Sequence, residues 1–450
     1  MANKYFYDEI DKVIQNMENV YGSKYGISNK KNLYSPENLI LLDSPNTYCL
    51  GNIIPMYSAH VENSNFDKWA GMGCSLDKKR SILKAYGECV ERYCGYDWDD
   101  MHDNKRLFDS YNNLKNSYKC LSLTELIDFD ENIYDNDKNH MYSKYSDDKK
   151  ISWIVGKDII SDEETLLPAQ KVFLGTKLEK NEEMYIQWLS TGLACGSSYE
   201  SSVLSAIYEV VERDSFMLTW NLKLQGKRII IDEIQDCRLK KLYNHIMNKL
   251  VGEDQLFMYD ISMTKGIYTV VTFIQNYNSE AIGLIVSAAS DVNIENALLK
   301  SLEELCLTQL FSYRMLFKNK NTKVLSKEEV IDLHSHLEYY NSGDRAKNID
   351  FIKSNDYVKL SELNSYVQGT AKEILNYIIK LFKNMNTHIY VADITKPEIR
   401  EIGLTVVRAI IKEYNDLYVS YQFRLNNNNR LKKYQKMYNK NINSEPHPFP

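Results

Sequence analysis

Two acidic triads, far apart in the chain, share one spacing. Glu88, Glu91 and Arg92 close the run AYGECVER, and Glu209, Glu212 and Arg213 close AIYEVVER 121 residues later. Aligned without a gap, residues 71–92 and 192–213 are identical at nine of 22 positions. Beyond the triads these are Gly71/Gly192, Cys74/Cys195, Ser81/Ser202, Leu83/Leu204, Ala85/Ala206 and Val90/Val211. A weaker echo, ALLKSLEE at 297–304, sets Glu304 on the Glu88 position but lacks the ExR that should follow. A period this long is no solenoid. It points to a duplicated strand–loop–helix unit whose copies face one another.

On a helix, positions i, i+3 and i+4 lie on one face, so each triad projects together. Ile82, Leu83 and Val90 around the first, and Val203, Leu204, Ile207 and Val211 around the second, leave only a narrow polar stripe. Carboxylates about 5–6 Å apart repel, and burial raises the cost, so such a stripe wants cations. Two facing pairs would set four carboxylates against two guanidinium groups. Mg2+ takes hard oxygen ligands and accepts bridging waters and phosphates, which suits that surplus. The plainer alternative is a solvent-facing helix whose Glu–Arg pairs are worth about 0.3–0.5 kcal/mol each. One ExxER would be read that way; two copies in the same apolar frame favour the buried site. The segment GLACGSS at 192–198 reads as a small-residue loop opening onto a helix. Its backbone N–H groups and the Ser197 and Ser198 hydroxyls could meet phosphate oxygens there. There is no GxxxxGK[ST], no GxGxxG after a strand and no kinase-type HRD or DFG motif, so a nucleotide site here is of another kind.

The elements that must carry these residues alternate. Strand-like runs lie at 151–155, 229–231, 268–274, 282–287, 389–394 and 404–411. Helical patterns lie at 81–93, 202–220, 294–317 and 361–385. Interleaving of this kind predicts an α+β architecture with mixed sheets and long helices. Residues 1–60 read as a polar, helix-then-loop opening that contributes to the main domain, 61–425 as the catalytic domain, and 426–450 as a basic stretch with a proline tail. The charged, aliphatic-poor 128–150 reads as an exposed connection. Arg430, Lys432, Lys433, Lys436 and Lys440 read as a solvated helix, and the final EPHPFP can only be extended.

Composition narrows the function. The 450 residues are 44% hydrophobic and 26% charged, enough for a large core and unlike a disordered chain. Net charge is −6, which gives no basic surplus for a nucleic-acid backbone. No apolar run reaches the ~18–20 residues a bilayer span needs, and the N-terminus has no signal core, so a cytoplasmic location is expected. The eight cysteines include no CxxC and read as small buried hydrophobes. His334 and His336 read as a surface helix rather than a metal site.

At AYGECVERY, STGLACGSSYESSVLSAIYEVVERDSFMLTW, GLTVVRAI and the terminal PHPFP the sequence resembles the YcaO family. Within it the likeness is to stand-alone azoline-forming cyclodehydratase subunits of streptolysin S-type and thiazole/oxazole-modified microcin biosynthesis. The resemblance covers roughly residue 60 to the C-terminus. It implies the YcaO-type ATP-binding fold, with ATP and Mg2+ as cofactors. Carried over by motif, Glu88, Glu91, Glu209 and Glu212 would bind metal, with Arg92 and Arg213 contacting phosphate or locking each pair. Family members commonly carry an Asn and a further Glu after the small-residue segment. This sequence has Ser197 at the first place and Glu200-Ser201 near the second, so Ser197 is assigned to the nucleotide and Glu200 to the metal from a shifted position. The PGL that often follows the late VVR strand is replaced by Lys412-Glu413-Tyr414. Pro446, Pro448 and Pro450 match the PxPxP of azoline-forming members, a pre-extended tail able to thread toward the catalytic site. His447 within it reads as a bystander.

The chemistry implied is closure of a Cys, Ser or Thr side chain onto the preceding amide carbonyl of a ribosomally made precursor peptide, with ATP phosphorylating the amide oxygen. Implied partners are that peptide, an E1-like leader-binding protein, a flavin-dependent azoline dehydrogenase acting afterwards, and a second copy in a homodimer. Thioamide or macroamidine formation, and a non-catalytic peptide- or nucleotide-binding scaffold, stand as alternatives.

Overall fold

The computed structural model describes residues 12–15, 28–34, 57–63, 71–97, 106–130, 133–134, 140–250, 254–278, 282–318 and 324–449, with 28–34, 57–63 and 314–318 as backbone only. After a helical turn at 12–15, an antiparallel ribbon of β1 (Ser28–Tyr34), β2 (Tyr57–Asn63) and β3 (Gly71–Ser75) feeds α1 (Lys78–Gly95). Of the first 60 residues, 12–15 are helical, in keeping with the expected opening helix, while 28–34 and 57–60 are strand where the sequence suggested loop; the others lie outside the described residues. Next come β4 (Leu107–Ser110), β5 (Lys150–Asp158), β6 (Glu163–Pro168), β7 (Leu193–Gly196) and α2 (Tyr199–Asn221). Then follow β8 (Lys227–Ile230), α3 (Cys237–Lys249), β9 (Gln255–Asp260), β10 (Tyr268–Gln275), β11 (Leu284–Asp291) and α4 (Ile294–Lys318). The last elements are β12 (Tyr357–Lys359), α5 (Ala371–Asn384), β13 (Ile389–Asp393), β14 (Thr405–Ile411) and α6 (Asn429–Tyr438). The fold is α+β, as the interleaved pattern implies.

One sheet runs β4-β5-β13-β14-β7, with β6 also on β5; another runs β11-β10-β9-β8-β12, antiparallel except where β8 meets β12. Every residue of β10 and β11 is buried, because both faces of the sheet are covered. Val270, Ile274 and Ile285 face the leucines of α4, while Val271, Phe273 and Val286 pack with Phe216 and Trp220 of α2. Helix α2 lies between the two sheets, against β7 and β14 on one side and β10 and β11 on the other. That explains why it is apolar nearly all round. Helix α1 packs on β3 and also reaches β7. Sharing β7 is what brings the two acidic helices together.

Backbone crowding explains the small residues that precede each helix. A Cβ on Gly71 would lie 2.1 Å from the Ala85 carbonyl oxygen, and one on Gly73 2.2 Å from that of Ser81. Strand β3 thus rests directly on the backbone of α1. Gly192 has φ of 82°, and a Cβ there would meet the Ala409 carbonyl oxygen at 2.2 Å. The segment 192–198 is consequently not the open loop its composition suggested: Leu193–Gly196 is a strand paired with β14.

Other expectations change with tertiary context. Helix α5 begins at Ala371, ten residues later than its hydrophobic pattern, because Thr370 and Glu373 form a capping box. Within 128–150, Phe129 and Ile133 are buried and pack with Phe423, and Asn428 Nδ2 donates to Asp128 Oδ2 at 3.0 Å, so that segment is anchored rather than a free connection. The basic helix α6 is tied down as well, with Leu431 buried and Arg430 Nε 2.8 Å from Oδ2 of the fully buried Asp214. His336 is not on the surface but wholly buried. Cys74, Cys89, Cys94 and Cys306 are buried as expected, and burial pushes the first three thiols up to about 12; Cys237 is exposed, and Cys49 lies outside the described residues. No helix among the described residues is long and apolar enough to cross a membrane.

Candidate functional site

Both triads end up half-buried and in one electrostatic neighbourhood. On α1, Arg92 Nη2 lies 3.2 Å from Glu88 Oε1 and Nη1 3.8 Å from Glu91 Oε1. On α2, Arg213 Nη2 lies 3.4 Å from Glu209 Oε1 and Nε 3.3 Å from Glu212 Oε1. The first glutamate of each triad is also held by the preceding β-segment. Met72 N–H donates to Glu88 Oε2 at 2.8 Å, and Gly192 N–H to Glu209 Oε2 at 3.0 Å. Fixing a carboxylate by a backbone donor on one oxygen and an arginine on the other leaves little freedom in its position.

The charges act on one another across the two helices. Burial raises the pKa of Glu91, opposed by Arg92 and reinforced by Glu209 and Glu88. Burial likewise raises Glu209, against the pull of Arg213, Arg92 and Arg408, and Glu212, with Glu304 and Glu209 adding to the rise. Arg92 is shifted up because Glu91, Glu88 and Glu209 outweigh the cost of its burial.

Two members of the cluster were not assigned from sequence. Glu304 on α4 is open to solvent at the mouth of the cluster, where the protein mass around it raises its pKa and it acts on Lys84, Arg213, Glu209 and Lys300. The echo at 297–304 was its signal. Arg408 on β14 is 1% exposed, and its Nε and Nη1 have no hydrogen-bond partner among the described residues. Burial lowers its pKa while Asp416, Glu209 and Glu91 pull the other way. A lone arginine within the otherwise apolar VVRAII was the available sign.

Five carboxylates (Glu88, Glu91, Glu209, Glu212 and Glu304) thus face three guanidinium groups (Arg92, Arg213 and Arg408). The nearby lysines are already committed: Lys84 Nζ is 2.9 Å from Glu303 Oε2, and Lys300 Nζ 2.9 Å from Asp291 Oδ2. The donor set is oxygen-rich and short of positive charge, which suits Mg2+. Among the described residues no three His, Cys, Asp or Glu side chains gather closely enough to hold an ion by themselves. This is not an all-protein cage. Mg2+ ordinarily uses one or two carboxylates and completes its shell with water and substrate phosphates.

Other expected site residues are placed elsewhere. Glu200 is in the first turn of α2, nine residues before Glu209, so about 13.5 Å away along the axis and on the opposite side. It does not join the Glu209–Glu212 pair. Ser197 is exposed at the β7–α2 junction. The Ser198 and Ser201 hydroxyls are taken up by a capping box, Ser198 Oγ accepting from Ser201 N–H at 3.2 Å and Ser201 Oγ from Ser198 N–H at 3.1 Å. Their O–H groups are spent in the same turn, Ser198 Oγ donating to Ser201 Oγ at 3.1 Å and Ser201 Oγ to Ser198 O at 2.9 Å, so a phosphate at this helix start would find these two donors already used.

The proline tail, by contrast, runs inward. Pro446, His447, Pro448 and Phe449 are all buried; Pro450 lies outside the described residues. Three successive carbonyls accept from aromatic side chains: Glu445 O from Trp220 Nε1 at 3.1 Å, Pro446 O from Tyr340 Oη at 2.6 Å, and His447 O from His336 Nδ1 at 2.6 Å. His447 N–H donates to Tyr418 Oη at 3.2 Å. Pro446 and Pro448 on either side bring no N–H, so those two buried positions have no backbone donor to satisfy. The His447 ring stacks on that of His336 with centroids 4.0 Å apart, so His447 is an anchor of the tail rather than a bystander. The Phe449 ring ends 4.4 Å from the Arg213 guanidinium carbon.

Residues 72–414 match the family model described as YcaO cyclodehydratase, ATP- and Mg2+-binding. No curated protein matches the chain. Among solved structures, a heterocyclase in complex with substrate and cofactor is similar at 14% identity and a TM-score of 0.74, over 100% of this chain but only 59% of its own length. YcaO from Methanopyrus kandleri, bound with AMPPCP and Mg2+, is similar over 92% of each chain at 14% identity and a TM-score of 0.63. A chain of the E. coli microcin synthetase McbBCD complex with pro-MccB17 bound is similar over 89% of this chain and 94% of its own, at 14% identity and a TM-score of 0.58. At such identities the structural likeness is one of fold. The family model spans most of the chain and takes in both ExxER helices, and the chain belongs to the YcaO family.

Proposed function

We propose that this chain is an ATP-dependent peptide cyclodehydratase that converts Cys, Ser or Thr residues of a ribosomally made precursor into thiazolines or (methyl)oxazolines. The observation that carries the reading is the excess of carboxylates over guanidinium groups where α1, α2 and α4 meet, with Glu212 buried, Glu88, Glu91 and Glu209 half-buried and Glu304 open to solvent. Glu88, Glu91, Glu209 and Glu212 would hold Mg2+, with Glu304 beside them. Bound there, the ion would offset phosphate charge and orient the γ-phosphoryl group. Arg92 and Arg213 lock each glutamate pair, and Arg408 offers two buried N–H groups to a phosphate oxygen.

The side-chain thiol or hydroxyl of the peptide adds to the preceding amide carbon and gives up its proton to a base. The former amide oxygen, a poor leaving group, attacks the γ-phosphorus of ATP, displacing ADP, and departs as phosphate as the amide nitrogen gives up its proton and the C=N bond forms. Products are an azoline, ADP and phosphate. A separate E1-like protein would present the peptide, a flavin-dependent dehydrogenase would act afterwards, and the active form would be a homodimer. Glu88→Gln and Glu209→Gln are expected to cut ATP-dependent loss of roughly 18 Da per ring from the peptide at least about a hundredfold, with the fold intact. Full activity in both would overturn the reading. A gain of about 16 Da instead, one O-to-S exchange, would identify thioamide formation.

The capping role of Ser201, where relatives carry a further glutamate, favours a second reading: a scaffold that binds nucleotide or peptide without turning it over. Nucleotide binding with no product in the presence of peptide and partner would select it.

A further inference from the structure

We propose that Phe449 is a positioning residue for Arg213, so that the docked tail sets the geometry of the α2 arginine. The proposal rests on the reading of this cluster as a Mg–ATP site. Arg213 bridges Glu209 and Glu212, but over long contacts. Its contacts to Glu209 and Glu212, at 3.4 and 3.3 Å, exceed the 2.7–2.9 Å typical of charge-assisted hydrogen bonds, and its Nε makes no well-aligned hydrogen bond among the described residues. What fixes the plane of the group is the Phe449 ring at 4.4 Å, within cation–π range.

That ring is itself well fixed. Phe449 is 3% exposed and lies 4.8 Å, centroid to centroid, from Phe216, which is three residues on from Arg213 and so on the same face of α2. Behind it the tail is pinned by the three carbonyl acceptors at 445–447, and Asn443 N–H donates to Asn221 O at 2.7 Å at the end of the same helix. The tail therefore runs back along α2 from its C-terminus to its arginine. Its aromatic ring covers one face of the guanidinium and leaves the outer N–H edge for a phosphate oxygen. The prolines act by delivering this ring, without touching the reacting atoms.

The test measures Mg–ATP affinity by calorimetry for the full chain, then KM and kcat with peptide and partner. Phe449→Leu, which keeps apolar volume and loses the π face, is expected to weaken Mg–ATP binding roughly three- to tenfold, with Phe449→Tyr restoring it to within about twofold. In an Arg213→Gln background, Phe449→Leu should have no further effect, which a merely structural role for the ring would not produce. Wild-type affinity in Phe449→Leu, or an undiminished effect in the Arg213→Gln background, would overturn the proposal while leaving the ATP reading intact. A wild-type chain that bound no nucleotide would overturn both.

Discussion

Glu303 and Glu304 are adjacent in α4 and opposite in environment. Glu303 accepts from Arg80 Nε at 2.8 Å, Lys84 Nζ at 2.9 Å and Ser75 Oγ at 2.8 Å, and these partners hold its pKa down at about 2. Glu304 is exposed and turns toward the acidic cluster, where the surrounding protein and Glu209 raise its pKa. One glutamate ties α4 to α1; the other adds to the charge surplus. Replacing Glu303 by Gln should cost roughly 3–5 kcal/mol of stability, since it strands two buried cations. Glu304→Gln, at a solvent-exposed carboxylate, should leave stability nearly unchanged and should weaken Mg–nucleotide binding. Denaturant titration and calorimetry on the two variants check both.

The cluster should make the ligand-free fold more stable in mild acid. Glu91, Glu209, Glu212 and Glu304 have folded-state pKa values above the ordinary 4.5, so the folded chain keeps protons that the unfolded chain releases. Stability from these groups is complete below about 4.5 and is lost as pH rises through their folded-state values. Glu91→Gln should therefore gain on the wild type in melting temperature as pH is raised from 5 to 8. A constant difference would count against the buried charge.

Mg–ATP should reverse that penalty. At about 100 times its dissociation constant a ligand specific for the folded state adds about 2.7 kcal/mol. The wild type is expected to show this rise in thermal unfolding with Mg–ATP, and Glu91→Gln and Glu212→Gln to lose most of it.

The tail should respond to acid in the opposite sense. Burial lowers the pKa of both His336 and His447, and the stacked His336 ring adds to the cost of charging His447. Below the ordinary value of 6.5 the unfolded chain takes up protons that the folded chain refuses, so stability falls with pH from there down. Limited proteolysis of the tail should accelerate below pH 6.5. His336→Phe, which keeps a stacked ring without a titrating nitrogen, should blunt that dependence.

Arg430→Met should destabilise by roughly 3–5 kcal/mol, because it leaves Asp214 buried with only Asn415 as partner. Neutralising the exposed Lys432, Lys433 and Lys436 should stay within about 0.5 kcal/mol. Chemical denaturation of the two sets separates the structural cation of α6 from its solvated neighbours.

Much of this was legible in sequence because it is local. The strands at 268–275 and 405–411 and helices α1, α2 and α4 follow from residue type and period, and the cluster from one repeated spacing. Strand β7 was hidden because a strand lying beneath two helices must be made of small residues, and LACG has the composition of a loop. The His336–His447 stack and the burial of Arg408 depend on partners more than a hundred residues away, or on the far side of a sheet. Glu200 was misplaced for a simpler reason: proximity in sequence to a functional helix says nothing about which side of it a residue occupies.

The bare glycines of β3 have one more consequence. With hydrogen where Gly71 and Gly73 would otherwise carry a methyl, strand and helix meet main chain to main chain, and nothing compressible lies between them. The span across the acidic floor is thereby ruled by covalent geometry rather than by side-chain fit. Drift elsewhere in the interior, one aliphatic exchanged for another, would leave that gauge unaltered, whereas a single alanine in either place would open it.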